Sequence, residues 1–183
     1  MDISRESRRG VEEKKPNIIL VGLSGSGKTT IGRLVARELH RPFIDFDTEI
    51  EHRQHSSVHE IFARHGEAYF RGLEEELTRE LVTCNGMIMS AGGGWVLNRE
   101  AVALLRKTGR IIYLRASPEL LARRLATARV RRPLLDASDP LDTLTTMYEA
   151  RRPFYEQADL VIDTEVLERK QLIEQVRRYA LSQ

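Results

Sequence analysis

Cysteine is nearly absent: Cys84 stands alone in 183 residues, so no disulfide can close within the chain. This fits a reducing cytosol. Long hydrophobic runs are missing too. None approaches the ~18 residues that a membrane span needs. The first residues, Met1 to Lys15, are polar and mixed in charge, without the apolar stretch of a secretory signal. Charge of one sign is also lacking, because 29 basic residues stand against 27 acidic ones. A net +2 is too small to argue for bulk nucleic-acid binding. Lysine is scarce, at 5 against 24 arginines. Arginine is the better planar fork for carboxylates and phosphates, although genomic base composition produces the same bias.

What remains is the composition of a soluble globular protein, 41% apolar and 31% charged. The length fits one domain, able to bury roughly 70% of its unfolded surface. Residues 1–15, with five basic and four acidic side chains, read as a flexible tail. Residues 16–183 read as a single domain without repeats or linkers.

Short apolar runs alternate with stretches of helical period. Asn17–Val21 is continuously apolar after its first residue and suits a strand buried on both faces. Ile31, Leu34, Val35 and Leu39 predict a helix over Lys28–Leu39. Further strands are expected at Pro42–Phe46, Gly86–Ser90, Arg110–Arg115 and Leu160–Asp163. Helices are expected at Thr48–Arg53, Val58–His65, Tyr69–Val82, Arg99–Lys107, Leu141–Arg151 and Val166–Ala180. Ser117 followed by Pro118 starts another that runs to about Ala126. Residues 127–139 read as a loop. The alternation predicts an α/β sandwich around a mainly parallel sheet.

Gly22-Leu-Ser-Gly-Ser-Gly27-Lys28-Thr29 matches G-x-x-x-x-G-K-[ST], between a predicted strand and a predicted helix. Glycines let the backbone curl so that N–H groups face phosphate oxygens, and the helix adds its positive end. Lys28 reaches the outer phosphates and Thr29 is placed to bind Mg²⁺. A chance match in a chain of this length is on the order of one in a hundred. The motif points to nucleotide binding and leaves the acceptor open.

Asp45 and Asp47 stand at the end of the second predicted strand. On an extended segment they point to one side. Carboxylates there can hold a metal ion or take a proton from an acceptor hydroxyl. The same pair also fits turn or N-cap residues of the next helix. Arg71 is similarly open, since Glu67, Glu74 and Glu75 on its own predicted helix could pair with it.

The ordered set of motifs resembles one family, shikimate kinase. It comprises Gly22–Thr30 with Gly32-Arg33, Asp45-Phe-Asp47, Ile61-Phe62, Gly66-Glu67, Phe70-Arg71 and Glu74. It continues through Gly92-Gly93-Gly94 and Arg132-Pro133-Leu134-Leu135 to Arg151-x-Pro153-x-Tyr155. The resemblance implies transfer of the ATP γ-phosphoryl to the 3-hydroxyl of shikimate, with Mg²⁺, on the route to chorismate. It implies the fold of nucleoside monophosphate kinases: a five-stranded parallel sheet in a three-layer sandwich, with a mobile lid at about 127–139. It assigns ATP to Gly25, Ser26, Gly27, Lys28, Thr29, Thr30, Arg124 and Arg132, and the metal to Thr29 and Asp45. Shikimate falls to Asp47, Arg71, Gly92, Gly93, Gly94 and Arg151. Asp47, Lys28 and Arg132 become the catalytic groups, with Asp47 as base. Two arginines suit a planar carboxylate, and consecutive glycines allow close approach of main chain.

The chain departs from the family pattern in places. Gln54-His55-Ser56-Ser57 has no glycine where the family commonly carries one. The segment between Arg124 and Arg132 is one residue longer than usual, and the third strand ends in Ser90 and Ala91 without the acidic residue of a standard Walker B motif, which the family also tends to lack. Two rival readings are a kinase of another hydroxylated acid such as gluconate and a low-turnover nucleotide-binding regulatory module. The favoured reading is a cytoplasmic, monomeric enzyme whose partners are small molecules, not nucleic acid or membrane.

Overall fold

Every residue of β1 (Asn17–Val21) is buried, and its side chains divide between two cores. Ile19 and Val21 face one, and Ile18 and Leu20 face the other, as the two-residue period of a strand requires. β1 is the middle of five parallel strands in the order β2-β3-β1-β4-β5, with β2 at Phe43–Asp45, β3 at Ile88–Ser90, β4 at Gly109–Arg115 and β5 at Leu160–Asp163. The computed structural model describes residues 15–127 and 139–182. The expected lid is therefore described only at its two ends. Arg132 and, apart from Lys15, the expected tail lie outside the described residues.

Helices α1 (Lys28–Leu39) and α7 (Arg169–Leu181) cover one face of the sheet through Ile31, Val35, Leu172 and Val176. The other face carries α2 (Phe46–Gln54), α3 (Val58–Leu81), α4 (Arg99–Leu105), α5 (Pro118–Ala126) and α6 (Pro140–Tyr155), packed through residues such as Phe46, Phe70, Leu105, Leu121 and Leu144. This is the expected three-layer sandwich. The strand order reverses direction at β1, and ligands of such sheets bind beyond the strand ends at that point.

Three local expectations change. The second strand stops at Asp45 and α2 begins at Phe46, two residues early, because the Asp45 carboxylate accepts from the Thr48 N–H and caps the helix. The two helices expected over 58–82 are joined end to end, interrupted only at Gly66 (φ 79°, ψ 176°). α6 does not stop at Arg151 but continues through Pro153 to Tyr155, whose ring is fully buried. Tertiary burial outweighs the local tendency of proline to end a helix.

Candidate active site

The loop after β1 turns through three glycines of positive φ, Gly22 (142°), Gly25 (86°) and Gly27 (99°), a conformation that costs other residues dearly. Gly27 caps α1 without a side chain, so the first N–H groups of the helix remain available to an anion. Lys28 is almost fully buried, and its Nζ donates to the carbonyls of Gly22 (2.7 Å) and Leu23 (3.1 Å). Thr30 is exposed on the first turn of α1. Arg124 of α5 donates to Gly25 O (3.4 Å) and to both Thr164 oxygens, Oγ1 at 3.2 Å and O at 3.1 Å. It thereby ties the phosphate loop to the end of β5.

The carboxylate pair does not behave as an extended segment would. Asp47 stands on the first turn of α2, so the two side chains meet different partners. Asp45 Oδ2 accepts from Thr29 Oγ1 at 2.6 Å while its Oδ1 caps α2. The capping reading of Asp45 holds, and its second oxygen is bonded to the phosphate-loop threonine. Asp47, half-buried, points to the turn after β3, where its Oδ1 lies 3.0 Å from the place a Cβ on Gly92 would occupy.

That turn, Gly92–Gly94, is where the remaining expected residues converge. A Cβ on Gly92 would collide with Glu74 Oε1, and one on Gly94 with the Arg71 guanidinium. The corresponding position on Gly93 lies 3.6 Å from Arg151 Nη1 and 3.7 Å from Gly22 O. Arg71 also pairs along its own helix with Glu67 (2.7 Å) and Glu74 (2.5 Å). The helix-pair reading of Arg71 is realised, and the same guanidinium stands against Gly94 of the turn. The turn itself is fixed to α3, because Trp95 Nε1 donates to Thr78 Oγ1 at 3.0 Å.

Two residues of this site received no role from the sequence. Glu74 is 1% exposed, and burial pushes its carboxyl up to about 7 against the opposing charge of Arg71. Burial lowers the Arg71 pKa, but Glu74 and Glu67 outweigh it, so the net shift is upward. The signal was present: Glu74 occupies a core position of α3 between Phe70 and Leu77. Tyr155 is the second. Its hydroxyl donates to Gly93 O, a pairing of residues 62 apart that no periodicity reveals.

Two buried side-chain oxygens have no partner among the described residues, Ser26 Oγ in the phosphate loop and Glu74 Oε1 beneath Gly92. Unsatisfied buried oxygens are uncommon, and both of these stand at the phosphate loop or the glycine turn. No group of three or more His, Cys, Asp or Glu side chains among the described residues could hold a metal ion by itself. The hard oxygens of Thr29 and Asp45 can contribute two ligands to an ion that phosphates also bind.

The model of the family described as "Shikimate kinase" matches residues 24–180. Shikimate kinase of Cupriavidus pinatubonensis is 45% identical over 155 residues, 84% of this chain and 80% of that protein. Shikimate kinase from Acinetobacter baumannii, solved in complex with shikimate, superimposes with a TM-score of 0.85 at 33% identity, covering 91% of this chain and 93% of that one. A gluconokinase from Sinorhizobium meliloti covers 92% of this chain and 93% of its own with a TM-score of 0.61, but at 17% identity this is a likeness of fold alone. The family match takes in the phosphate loop from Ser24 onward, the glycine turn and both arginines beside it, and the chain belongs to the shikimate kinase family.

Proposed function

We propose that the protein transfers the γ-phosphoryl group of ATP to the 3-hydroxyl of shikimate, giving shikimate 3-phosphate and ADP on the route to chorismate. One observation carries the assignment of roles: Arg71 and Arg151, from two different helices, meet at a three-glycine turn beside the phosphate loop. Two guanidinium forks suit the planar carboxylate of shikimate, and the turn lets its ring lie against main chain. A kinase of gluconate, or a regulatory module with little turnover, has no need of this clamp together with an intact loop.

The ATP phosphates are assigned to Gly25–Thr30, with Lys28 leaving its loop carbonyls for phosphate oxygens. Thr29 and Asp45 are the residues for magnesium, and their oxygen donors fit its chemistry. When bound there with nucleotide, the ion neutralises charge on the β- and γ-phosphate oxygens. Arg124 is assigned to the nucleotide, consistent with its bonds to the loop and to Thr164. Asp47 accepts the proton of the 3-hydroxyl as the new P–O bond forms. Arg132, outside the described residues, adds positive charge at the transferred group and helps exclude water. The same reading makes the protein a cytoplasmic monomer whose partners are ATP and shikimate. No helix among the described residues is long and apolar enough to cross a membrane.

The regiochemistry is the part to test. Phosphorus NMR of the product should show one phosphate monoester, coupled to the ring proton at C3. An ester at another hydroxyl would reverse the placement of Asp47.

A further inference from the structure

Tyr155 closes α6 four residues after Arg151, so both side chains lie on one face of its last turns. The ring is fully buried and stacked on Tyr113 of β4, with centroids 4.8 Å apart and 15° between planes. Tyr113 is paired in the sheet with Val21, the residue before the phosphate loop. The ring is thus seated on the sheet next to the strand that leads into the phosphate loop. Its hydroxyl donates to the carbonyl of Gly93. Arg151 reaches the same glycine: its Nη1 lies 3.6 Å from the place a Cβ on Gly93 would occupy. One oxygen atom therefore joins the helix that carries Arg151 to the glycine turn.

Packing does not require that oxygen. A phenylalanine would fill the same space and stack on Tyr113 equally well. A buried hydroxyl is costly unless it is bonded, and here its bond runs to the glycine turn of the site. The bond also fixes a peptide plane. With the Gly93 carbonyl turned to Tyr155, the Gly94 N–H of the same trans peptide points the opposite way.

We infer that Tyr155 is a positioning residue for the acceptor: its phenol sets Arg151 and the Gly92–Gly94 turn at the separation a substrate carboxylate needs, without touching the substrate. The inference rests on the reading of Arg151 and the turn as the shikimate carboxylate site. Glu74 and Arg71 of α3 stand against Gly92 and Gly94 of the same turn.

The test is Tyr155→Phe in the full chain, which keeps the ring and removes only the hydroxyl. The shikimate KM should rise roughly tenfold, the ATP KM should stay unchanged and kcat should remain within about twofold. Trp95, the only tryptophan and the residue after the turn, serves as the intrinsic probe in a fluorescence titration with shikimate, a readout independent of turnover. In an Arg151→Ala background the same substitution should add less than about threefold, because no guanidinium is left to place. A full tenfold effect in that background, or equal losses for shikimate and ATP, would make Tyr155 a general structural residue and overturn the inference. An Arg151→Ala enzyme with unchanged shikimate KM overturns the carboxylate reading and the inference with it. A weakened Arg151→Ala enzyme beside an unaffected Tyr155→Phe enzyme overturns the inference alone.

Discussion

Gly92 is the point at which two carboxyl groups with different work approach one another. Asp47 Oδ1 and Glu74 Oε1 both crowd the space a side chain there would occupy. Asp47 as base predicts that Asp47→Asn lowers kcat by about a hundredfold or more, the scale of a lost general base, while the shikimate KM changes little. Near-normal turnover would remove Asp47 from that role. Glu74 predicts a dependence on pH. Its pKa is about 7 in the folded protein against an ordinary 4.5. Between those values the unfolded chain has lost the proton and the folded chain retains it. The stability contributed by neutral Glu74 is therefore complete below the lower value and lost as pH rises through the upper one. Urea melts should show roughly 2 kcal/mol of this loss between about pH 5 and about pH 8. Glu74→Gln should flatten that slope, and an unchanged slope would assign it to other groups. Glu74 was legible as a carboxylate on an apolar stripe. Its unpaired oxygen was not, since that depends on a turn from another part of the chain.

At the scale of elements, the sequence was most legible where local chemistry decides and least where packing does. The phosphate loop is written locally, because its glycines must take up left-handed turns, and it stands where expected. Ser117 and Pro118 start α5 as capping rules require. The end of α6 was misplaced because its last turn is held by stacking between Tyr155 and Tyr113 on β4. The missing glycine after α2 has a visible consequence. His55 caps that helix with φ 48° and ψ 35°, a left-handed conformation entered without the freedom of glycine. His55→Gly should raise stability by roughly 1 kcal/mol, whereas His55→Ala should bring no gain. Thermal melts of the two variants compare them directly, and equal behaviour would show that the strain is relieved by other means.

In the whole molecule, the parallel order β2-β3-β1-β4-β5 places the ends of β1 and β3 side by side, and with them the phosphate loop and the glycine turn. α3 and α6 then deliver Arg71 and Arg151 to that turn from distant parts of the chain. Periodicity foretold the layers of this architecture. It could not foretell the convergence, because spacing along the chain carries no information about which helices share an edge of the sheet. Only the ordered set of motifs, taken together as a family resemblance, pointed there. The proposed function relies on this convergence to select shikimate as the phosphoryl acceptor. The direct measurement is ADP release from ATP and Mg²⁺, coupled to NADH oxidation, with shikimate, quinate, gluconate or no acceptor. A strong rate with shikimate alone is the predicted result. Comparable rates with gluconate, or with no acceptor at all, would contradict the account.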